Sequence, residues 1–165
     1  TAGCRPIHLA AQNNRSSMIQ ALLSAGADNN AQNEEGLSPL HYASLHGHEN
    51  ALQTLIESNA NVNSTDINKI TPLHLAAEYN RWSIFARLVA AGADPTITSI
   101  KGKTPLDYIK PENEVKLVEA FLNIEKVTPL EQRVAKAFFE NAPSSLKKFY
   151  HPESEKKNTP SPDPV

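Results

Sequence analysis

A phrase of four residues, centred on a proline, recurs along this chain with a period of 33 residues. A fixed period of this length is typical of one structural unit that is copied and stacked, because a single unit cannot bury its apolar face alone. We therefore expect a stack of repeats and not a single closed core. The four copies read Arg5-Pro6-Ile7-His8, Ser38-Pro39-Leu40-His41, Thr71-Pro72-Leu73-His74 and Thr104-Pro105-Leu106-Asp107.

Each copy predicts two helices. In the third copy Thr71 can cap a helix, and Pro72 suits the first helical turn, where its missing N–H is not needed. Farther along, Phe85, Leu88 and Val89 have the spacing of one helical face. The pattern predicts an all-α chain of helix pairs. The same spacing recurs at Ile19, Leu22 and Leu23, at Leu52, Leu55 and Ile56, and at Val118, Phe121 and Leu122.

A stop signal follows the second predicted helix in each of the first three copies. Gly or Asn at such a place supplies the left-handed residue that commonly ends a helix. A polar stretch then leads to the next cap. The stops read Gly26-Ala27-Asp28, Asn59-Ala60-Asn61 and Gly92-Ala93-Asp94.

Together these residues resemble the ankyrin repeat, which carries T-P-L-H-x-A in its first helix and a leucine pair before Gly-Ala-Asp. The resemblance covers roughly residues 2–124. It implies antiparallel helix pairs, a turn that projects from each pair, and a solenoid whose concave face is formed by turn tips and first helices. We expect an ankyrin repeat domain over residues 1–127, with repeats at about 1–32, 33–65, 66–98 and 99–127.

The outer copies depart from this pattern. Arg5 stands where the first copy should carry a hydroxyl cap, so that copy is either a terminal repeat or the successor of repeats outside this sequence. In the fourth copy Asp107 replaces the histidine and the stop is absent, so we expect the stack to end there. A capping box opens residues 128–150, which we expect to form a helical C-terminal cap over the last apolar face. Residues 151–165 are charged and proline-rich, and we expect them to be disordered.

Composition argues against several classes of protein. The formal net charge of −2 lacks the basic excess typical of nucleic-acid binding. No apolar run approaches the roughly 18 residues of a membrane span, so no membrane insertion is expected. The single cysteine, Cys4, favours a reducing, cytoplasmic setting, or the host cytosol if the chain is a secreted bacterial effector. The chain begins at Thr1 without a methionine, which we interpret as a fragment, and we expect a monomer.

The reactive residues predict no catalytic, metal or cofactor site. His8, His41 and His74 recur in phase, but packed helices lie about 8–10 Å apart, too far for three ligands at about 2 Å from one zinc ion. In ankyrin repeats the matching histidine bonds to the cap and turn, so the resemblance implies a structural role. Cys4 has a histidine nearby but nothing that suggests an oxyanion hole. We therefore expect no enzyme, no cofactor and no small-molecule substrate.

The resemblance implies that a protein partner binds where the copies differ, at the turn tips and the exposed side of the first helices. Several of these positions are apolar, and a contiguous apolar surface patch suggests a contact site. Glu34 and Glu35 at one end and Lys101 and Lys103 at the other give the predicted groove a polarity. Some of the aliphatic residues could instead pack turn against turn, and Trp82 could pack between repeats. The predicted contact residues are Leu37, Leu45, His46, Ile67, Ile70, Glu78, Tyr79, Trp82, Ile100 and Lys101.

The favoured function is protein–protein recognition through the concave face, without catalysis. The chain could instead be the targeting or adaptor region of a larger effector or of a ubiquitin-ligase substrate receptor. Residues 142–146 faintly resemble the start of a ligase-recruiting box, whose downstream half is absent. A third possibility is a substrate, because Asn30 and Asn63 match ankyrin asparagines that become hydroxylated. In the tail, Ser161 before a proline could be phosphorylated.

Overall fold

The computed structural model describes residues 2–122 and the single residue Glu140. The predicted cap at 128–150, apart from Glu140, and the predicted tail at 151–165 lie outside the described residues. So do residues 142–146, and so does the end of the fourth predicted repeat at 123–127.

Residues 2–122 form helices and turns, and this part of the chain contains no strand. Two short 3₁₀ segments, Pro105–Tyr108 and Pro111–Asn113, lie before the last α-helix. The prediction of an all-α stack is confirmed. The α-helices of the described part are α1 (Pro6–Gln12), α2 (Ser16–Ser24), α3 (Pro39–His46), α4 (Glu49–Glu57), α5 (Pro72–Glu78), α6 (Trp82–Ala90) and α7 (Glu114–Leu122).

The first helix of each pair begins where the proline phrase predicts. Ser38 and Thr71 have the extended backbone of an N-cap residue, and a proline occupies the first helical position after each. The Oγ1 atom of Thr71 accepts a hydrogen bond from the main-chain N–H of His74 at 3.3 Å. Arg5 has the same extended backbone before α1 but no side-chain bond to the helix. The first helix therefore starts in phase but lacks a hydroxyl cap.

Left-handed residues reverse the chain at both ends of the second helices. The three predicted stops have positive φ, as a helix-ending residue of this type should. A second set, not predicted, lies between the two helices of each pair. The stops are Gly26, Asn59 and Gly92, with φ of 87°, 62° and 91°, and the second set is Asn14, Gly47 and Asn80, with φ of 54°, 76° and 56°.

Helices of the same kind pack against one another along the stack. The first helices α1, α3 and α5 form one row, and the second helices α2, α4, α6 and α7 form another. One position in the second row is buried in every unit, because Ile19, Leu52 and Phe85 are 0% exposed and Val118 is 8% exposed. Burying one such side chain contributes about 1.5–3 kcal/mol relative to leaving it exposed. The apolar spine between the rows is therefore the main source of stability.

The fourth unit departs from the helix pairs before it. Its first helix shortens to the 3₁₀ segment Pro105–Tyr108, after which Ile109 is extended. Lys110 is extended as well, as the residue before a proline usually is. Pro111 therefore prevents a full first helix in this unit, while α7 still packs against α6.

Candidate protein-binding groove

Main-chain hydrogen bonds join the turn tips of neighbouring repeats into an edge that we call the tip ladder. At each step an N–H of one tip donates to a carbonyl oxygen of the tip before it. Because the bonds repeat along the stack, the tips form a continuous row beside the first helices. The bonds run from Glu34 to Ala2 at 3.4 Å, from Ile67 to Glu35 at 3.1 Å and from Ile100 to Asn68 at 3.0 Å.

One polar side chain shapes each tip. In the third repeat the Oδ1 atom of Asp66 accepts from the main-chain N–H groups of Asn68 at 2.8 Å and Ile70 at 2.7 Å. Asn33 makes the equivalent bonds in the second tip, and the hydroxyl of Ser99 accepts from the residue four positions on in the fourth. Such side chains offer a turn the bonds that the main chain lacks. The tips are thus held by their own residues before any partner binds.

A histidine of each first helix connects that helix to the next tip. The Nδ1 atom of His41 accepts from the main-chain N–H of Ser38 at 3.1 Å, which assigns the ring proton to Nε2. Nε2 then donates to the carbonyl oxygen of Ile70 at 3.0 Å. His74 repeats this arrangement with the carbonyl oxygen of Lys103 at 3.1 Å. His8 does so with two carbonyl oxygens, of Ala31 at 2.8 Å and of Leu37 at 3.1 Å. The three rings therefore have structural bonds at both nitrogens.

Asp107 takes the histidine position in the fourth unit. Its Oδ2 atom accepts from the main-chain N–H of Thr104 at 2.7 Å and from the Thr104 hydroxyl at 2.9 Å, so the cap is kept. These bonds lower the pKa of Asp107. An ionised carboxylate has no proton to donate, so Asp107 cannot donate to a main-chain carbonyl oxygen as the three histidines do.

Burial favours the neutral form of the His41 and His74 rings. Burial lowers the pKa of His41 from 6.5 to about 4, against the opposing effects of the Ile70 carbonyl and the Asp66 carboxylate. Burial also lowers the pKa of His74. The bonding pattern needs this neutral form, because Nδ1 can accept a hydrogen bond only when it carries no proton.

Large apolar side chains are exposed beside the tip ladder. Ile67 is 68% exposed, Ile100 is 62% exposed and Tyr79 is 49% exposed. Ile67 and Ile100 are members of the ladder, and Tyr79 directly follows α5. Several exposed apolar side chains on one surface suggest a contact site, whereas a single one would not.

A cleft of about 240 Å³ brings the third and fourth tips together with α5 and the 3₁₀ segment of the fourth unit. Its aliphatic and aromatic side chains are accompanied by one acidic and one basic residue. The Nζ atom of Lys103 lies 5.3 Å from the centre of the Tyr108 ring, so a second cation stands beside the lining. The lining residues are Asn68, Ile70, Glu78, Ser99, Ile100, Lys101 and Tyr108.

The structure brings four of the ten predicted contact residues together in this cleft. They come from two different tips and from the end of α5. Two more are neighbours of lining residues in the chain and are exposed. The four are Ile70, Glu78, Ile100 and Lys101, and the two neighbours are Ile67 and Tyr79.

The other four predicted residues lie elsewhere. Leu37 and Leu45 are half-buried, and Leu37 packs against the core. His46 is exposed at the end of α3, where its ring stacks on that of His48 at 5.7 Å. Trp82 belongs to the core at 8% exposure, because the first turn of α6 faces the neighbouring helices. We therefore leave Trp82 out of the contact surface proposed below.

Three lining residues, Asn68, Ser99 and Tyr108, are not among the ten predicted ones. A signal for two of them exists in the sequence, because Ser99 shares its phase with Asn33 and Asp66, which also shape tips. Tyr108 likewise shares its phase with an earlier tyrosine, Tyr42. Comparison of every position by phase, and not only of the apolar ones, would have found both.

The described residues contain neither a metal-binding cluster nor a helix that could span a membrane. In residues 2–122 and Glu140, no three side chains of His, Cys, Asp or Glu are grouped so that they could hold a metal ion. The Sγ atom of Cys4 lies 3.2 Å from the hydroxyl of Tyr42. No helix in the same part of the chain has the length and apolar character to cross a membrane.

Comparison with known proteins agrees with this architecture. A family model described as ankyrin repeats, in three copies, matches residues 7–99, which is more than half of the 165-residue chain. No curated protein matches the chain. Since the matched region contains all of the three helix pairs except Pro6, and the tips between them, the chain belongs to the ankyrin repeat family.

Proposed function

We propose that this chain binds a partner protein through the concave groove formed by the tip ladder and the first helices, and that it performs no catalysis itself. Ankyrin repeats are generally protein–protein interaction modules, and the family is typically non-catalytic. The observation that carries the proposal is the exposure of Ile67 and Ile100 on a row of preformed tips, together with the exposure of Tyr79 at the end of α5. A buried partner side chain on such residues would supply hydrophobic contact energy.

The cleft provides the anchor point of the proposed interface. Its volume of about 240 Å³ suits one large side chain, and Ile70, Ile100 and Tyr108 offer it apolar contacts. Binding energy at interfaces is concentrated in a few such enclosed contacts. We therefore expect an extended segment of the partner to place one bulky aliphatic or aromatic side chain here.

Charge sets the expected direction of the bound segment. Lys101 and Lys103 lie at the fourth tip, and Glu34 and Glu35 lie at the second. All four side chains are exposed, so they would act on the rate and orientation of binding more than on its strength. The acidic side of the partner segment should lie toward the lysines.

The bonds within and between the tips support a rigid site. The local bonds of Asp66 and the ladder bond of Ile67 hold the third tip without a partner. A preformed surface loses little conformational freedom on binding, and more of the contact energy then appears as affinity. The proposal includes a monomeric state and a reducing, cytoplasmic setting. The setting is inferred from the single cysteine.

The test is affinity capture from cells of the native source with two matched variants. Tyr79→Ala combined with Ile100→Ala removes exposed apolar contacts in the groove. Both variants are made in residues 1–165, where Leu9→Ala combined with Met18→Ala removes comparable exposed apolar side chains at the first repeat, away from the cleft. A partner retained by the wild-type chain and by the second variant but lost by the first supports the proposal. Equal retention by both variants would remove the groove from consideration.

A further inference from the structure

The outer side of the first repeat exposes a position that every later unit buries. Met18 in α2 is 55% exposed. The residues one, two and three periods later are Ala51, Ile84 and Leu117, and each is 0% exposed. In those units the second helix packs against the second helix of the preceding unit, and this position is fully enclosed. Met18 therefore occupies a position that is buried between repeats elsewhere in the stack, but here no repeat in the described part of the chain covers it.

The first helix shows the same difference. Leu9 in α1 is 50% exposed, whereas Tyr42, one period later, is 5% exposed. The edge of the Tyr42 ring packs on His8 of the repeat before it, with the ring centres 5.8 Å apart. Tyr108 packs on His74 in the same way at 6.0 Å. In two later units the residue at the position of Leu9 therefore packs on the histidine of the repeat before it.

Polar side chains at the start of the second helices also show a contact that the described part of the first repeat lacks. The Nε2 atom of His48 donates to the carbonyl oxygen of Gln12, and the Nε atom of Arg81 donates to that of Leu45, both 36 residues back along the chain. Arg15 has the same phase as His48 and Arg81, and it is exposed. It is placed to reach back to a helix end in the same way.

We infer that the exposed side of α1 and α2 is one half of an inter-repeat interface, and that another helix pair of this repeat, located ahead of Thr1 in the same polypeptide, covers it in the native protein. A terminal repeat of a solenoid needs a polar outer face. Leu9 and Met18 expose two large apolar side chains here, so the face lacks the polar character of an end.

An in-line repeat fits this face better than a second copy of the chain does. The contacts found at the later interfaces depend on phase, because the reach-back bonds and the histidine contacts join fixed positions of consecutive repeats. Ala2 already takes part in the tip ladder through its carbonyl oxygen. A helix pair preceding it in the same polypeptide would meet α1 and α2 in this register automatically.

The test is thiol labelling of Met18→Cys in a Cys4→Ser background. The labelling rate is compared between residues 1–165 and the protein made from its complete native reading frame. Ser17→Cys is the matched control, since Ser17 and its counterpart one period later, Asn50, are both exposed. We expect residue 18 to react as fast as residue 17 in the shorter chain, and at least about tenfold more slowly than residue 17 in the complete protein.

Equal rates at positions 17 and 18 in the complete protein would overturn the inference, as would a native reading frame without a preceding helix pair. Slowing of residue 18 that already occurs in residues 1–165 and increases with protein concentration would assign the face to a second copy, and this would overturn it as well. A copy of residues 34–66 placed ahead of Thr1 keeps the period. It should protect residue 18 and leave residue 17 reactive, and equal reactivity at the two positions in this protein would also overturn the inference.

Discussion

The Nε2 atom of His41 donates a hydrogen bond to the carbonyl oxygen of Ile70 at 3.0 Å, which joins a first helix to the tip of the following repeat. The other ring nitrogen bonds to Ser38 at the start of the same helix. Ile70 lines the cleft in the groove. The histidine that joins α3 to the third tip therefore also positions a residue of the proposed binding surface.

Stability should fall as the solution is acidified below pH 6.5. The pKa of His41 is about 4 in the folded chain because of burial, and its ordinary value is 6.5. Between these values the unfolded chain binds more protons than the folded chain, so protons favour unfolding, and above pH 6.5 the effect vanishes. His41 alone should make the chain about 2 kcal/mol less stable at about pH 5 than at about pH 7. Urea unfolding at the two pH values measures this.

The control for the pH effect is His41→Gln, which keeps a donor and an acceptor but does not titrate in this range. Its stability should be lower at neutral pH, and its pH dependence should be shallower than that of the wild type. His74 would account for part of the remaining slope, since burial lowers its pKa too. An unchanged slope in the variant would show that His41 is not the titrating group.

Truncation to alanine at the same position of two repeats should lower the free energy of unfolding by very different amounts. Ile84 is 0% exposed, so Ile84→Ala should lower the free energy of unfolding by about 2–5 kcal/mol through lost contacts and a cavity. Met18 holds the same phase and is 55% exposed, so Met18→Ala should change it by less than about 0.5 kcal/mol. Chemical denaturation of residues 1–165 measures both. Similar losses in the two variants would mean that the repeats do not stack in phase.

Two glycines at equivalent tip positions should differ in their tolerance of alanine. Gly36 and Gly102 have φ of 78° and 69°, so alanine at either should cost about 1 kcal/mol in conformational strain. At Gly36 an added Cβ would also lie 2.9 Å from the Cα atom of Asp66, whereas at Gly102 it would meet nothing within 4 Å. We expect Gly36→Ala to cost at least about 1 kcal/mol more than Gly102→Ala. Equal costs in thermal unfolding would argue against close contact between the second and third tips.

Removing a helix cap should destabilise the chain, and adding one should stabilise it. Thr71 is 1% exposed and its hydroxyl lies 2.8 Å from Nδ1 of His74, so Thr71→Ala should cost about 1–2 kcal/mol. Arg5 holds the same phase without a side-chain bond to α1, and Arg5→Thr should gain up to about 1 kcal/mol. Denaturant titrations of both variants measure the difference. A destabilising Arg5→Thr would show that Arg5 has a contact of its own.

The stacked helices were predictable because the phrase around Pro39 and Pro72 contains its own cap, first helical turn and connecting histidine. Each copy encodes the same local structure, so the 33-residue period is enough to predict the fold. The shortened first helix of the fourth unit was harder to predict from the sequence. Pro111 signals an interruption in the sequence, but the conformation of Ile109 and Lys110 follows from packing as well as from the proline.

The candidate site was predictable only in part. Ile70 and Ile100 follow from the phase of the tips, because both lie at tip positions whose residue type varies between copies. Trp82 shows the limit of this reasoning, because composition favours a contact role while the orientation of α6 turns the side chain into the core. Tyr108 joins the cleft through the short 3₁₀ segment, and no single copy of the repeat shows this by itself.

Hydrogen exchange of the chain, alone and bound to the partner recovered by the wild-type groove, would locate the interface. If the groove binds the partner, exchange should slow at the third and fourth tips, at the main-chain N–H groups of Ile67, Ile70 and Ile100. The second helices α4 and α6 should be unchanged. Protection confined to α4 and α6, with the tips exchanging as in the free chain, would show that the partner binds another face.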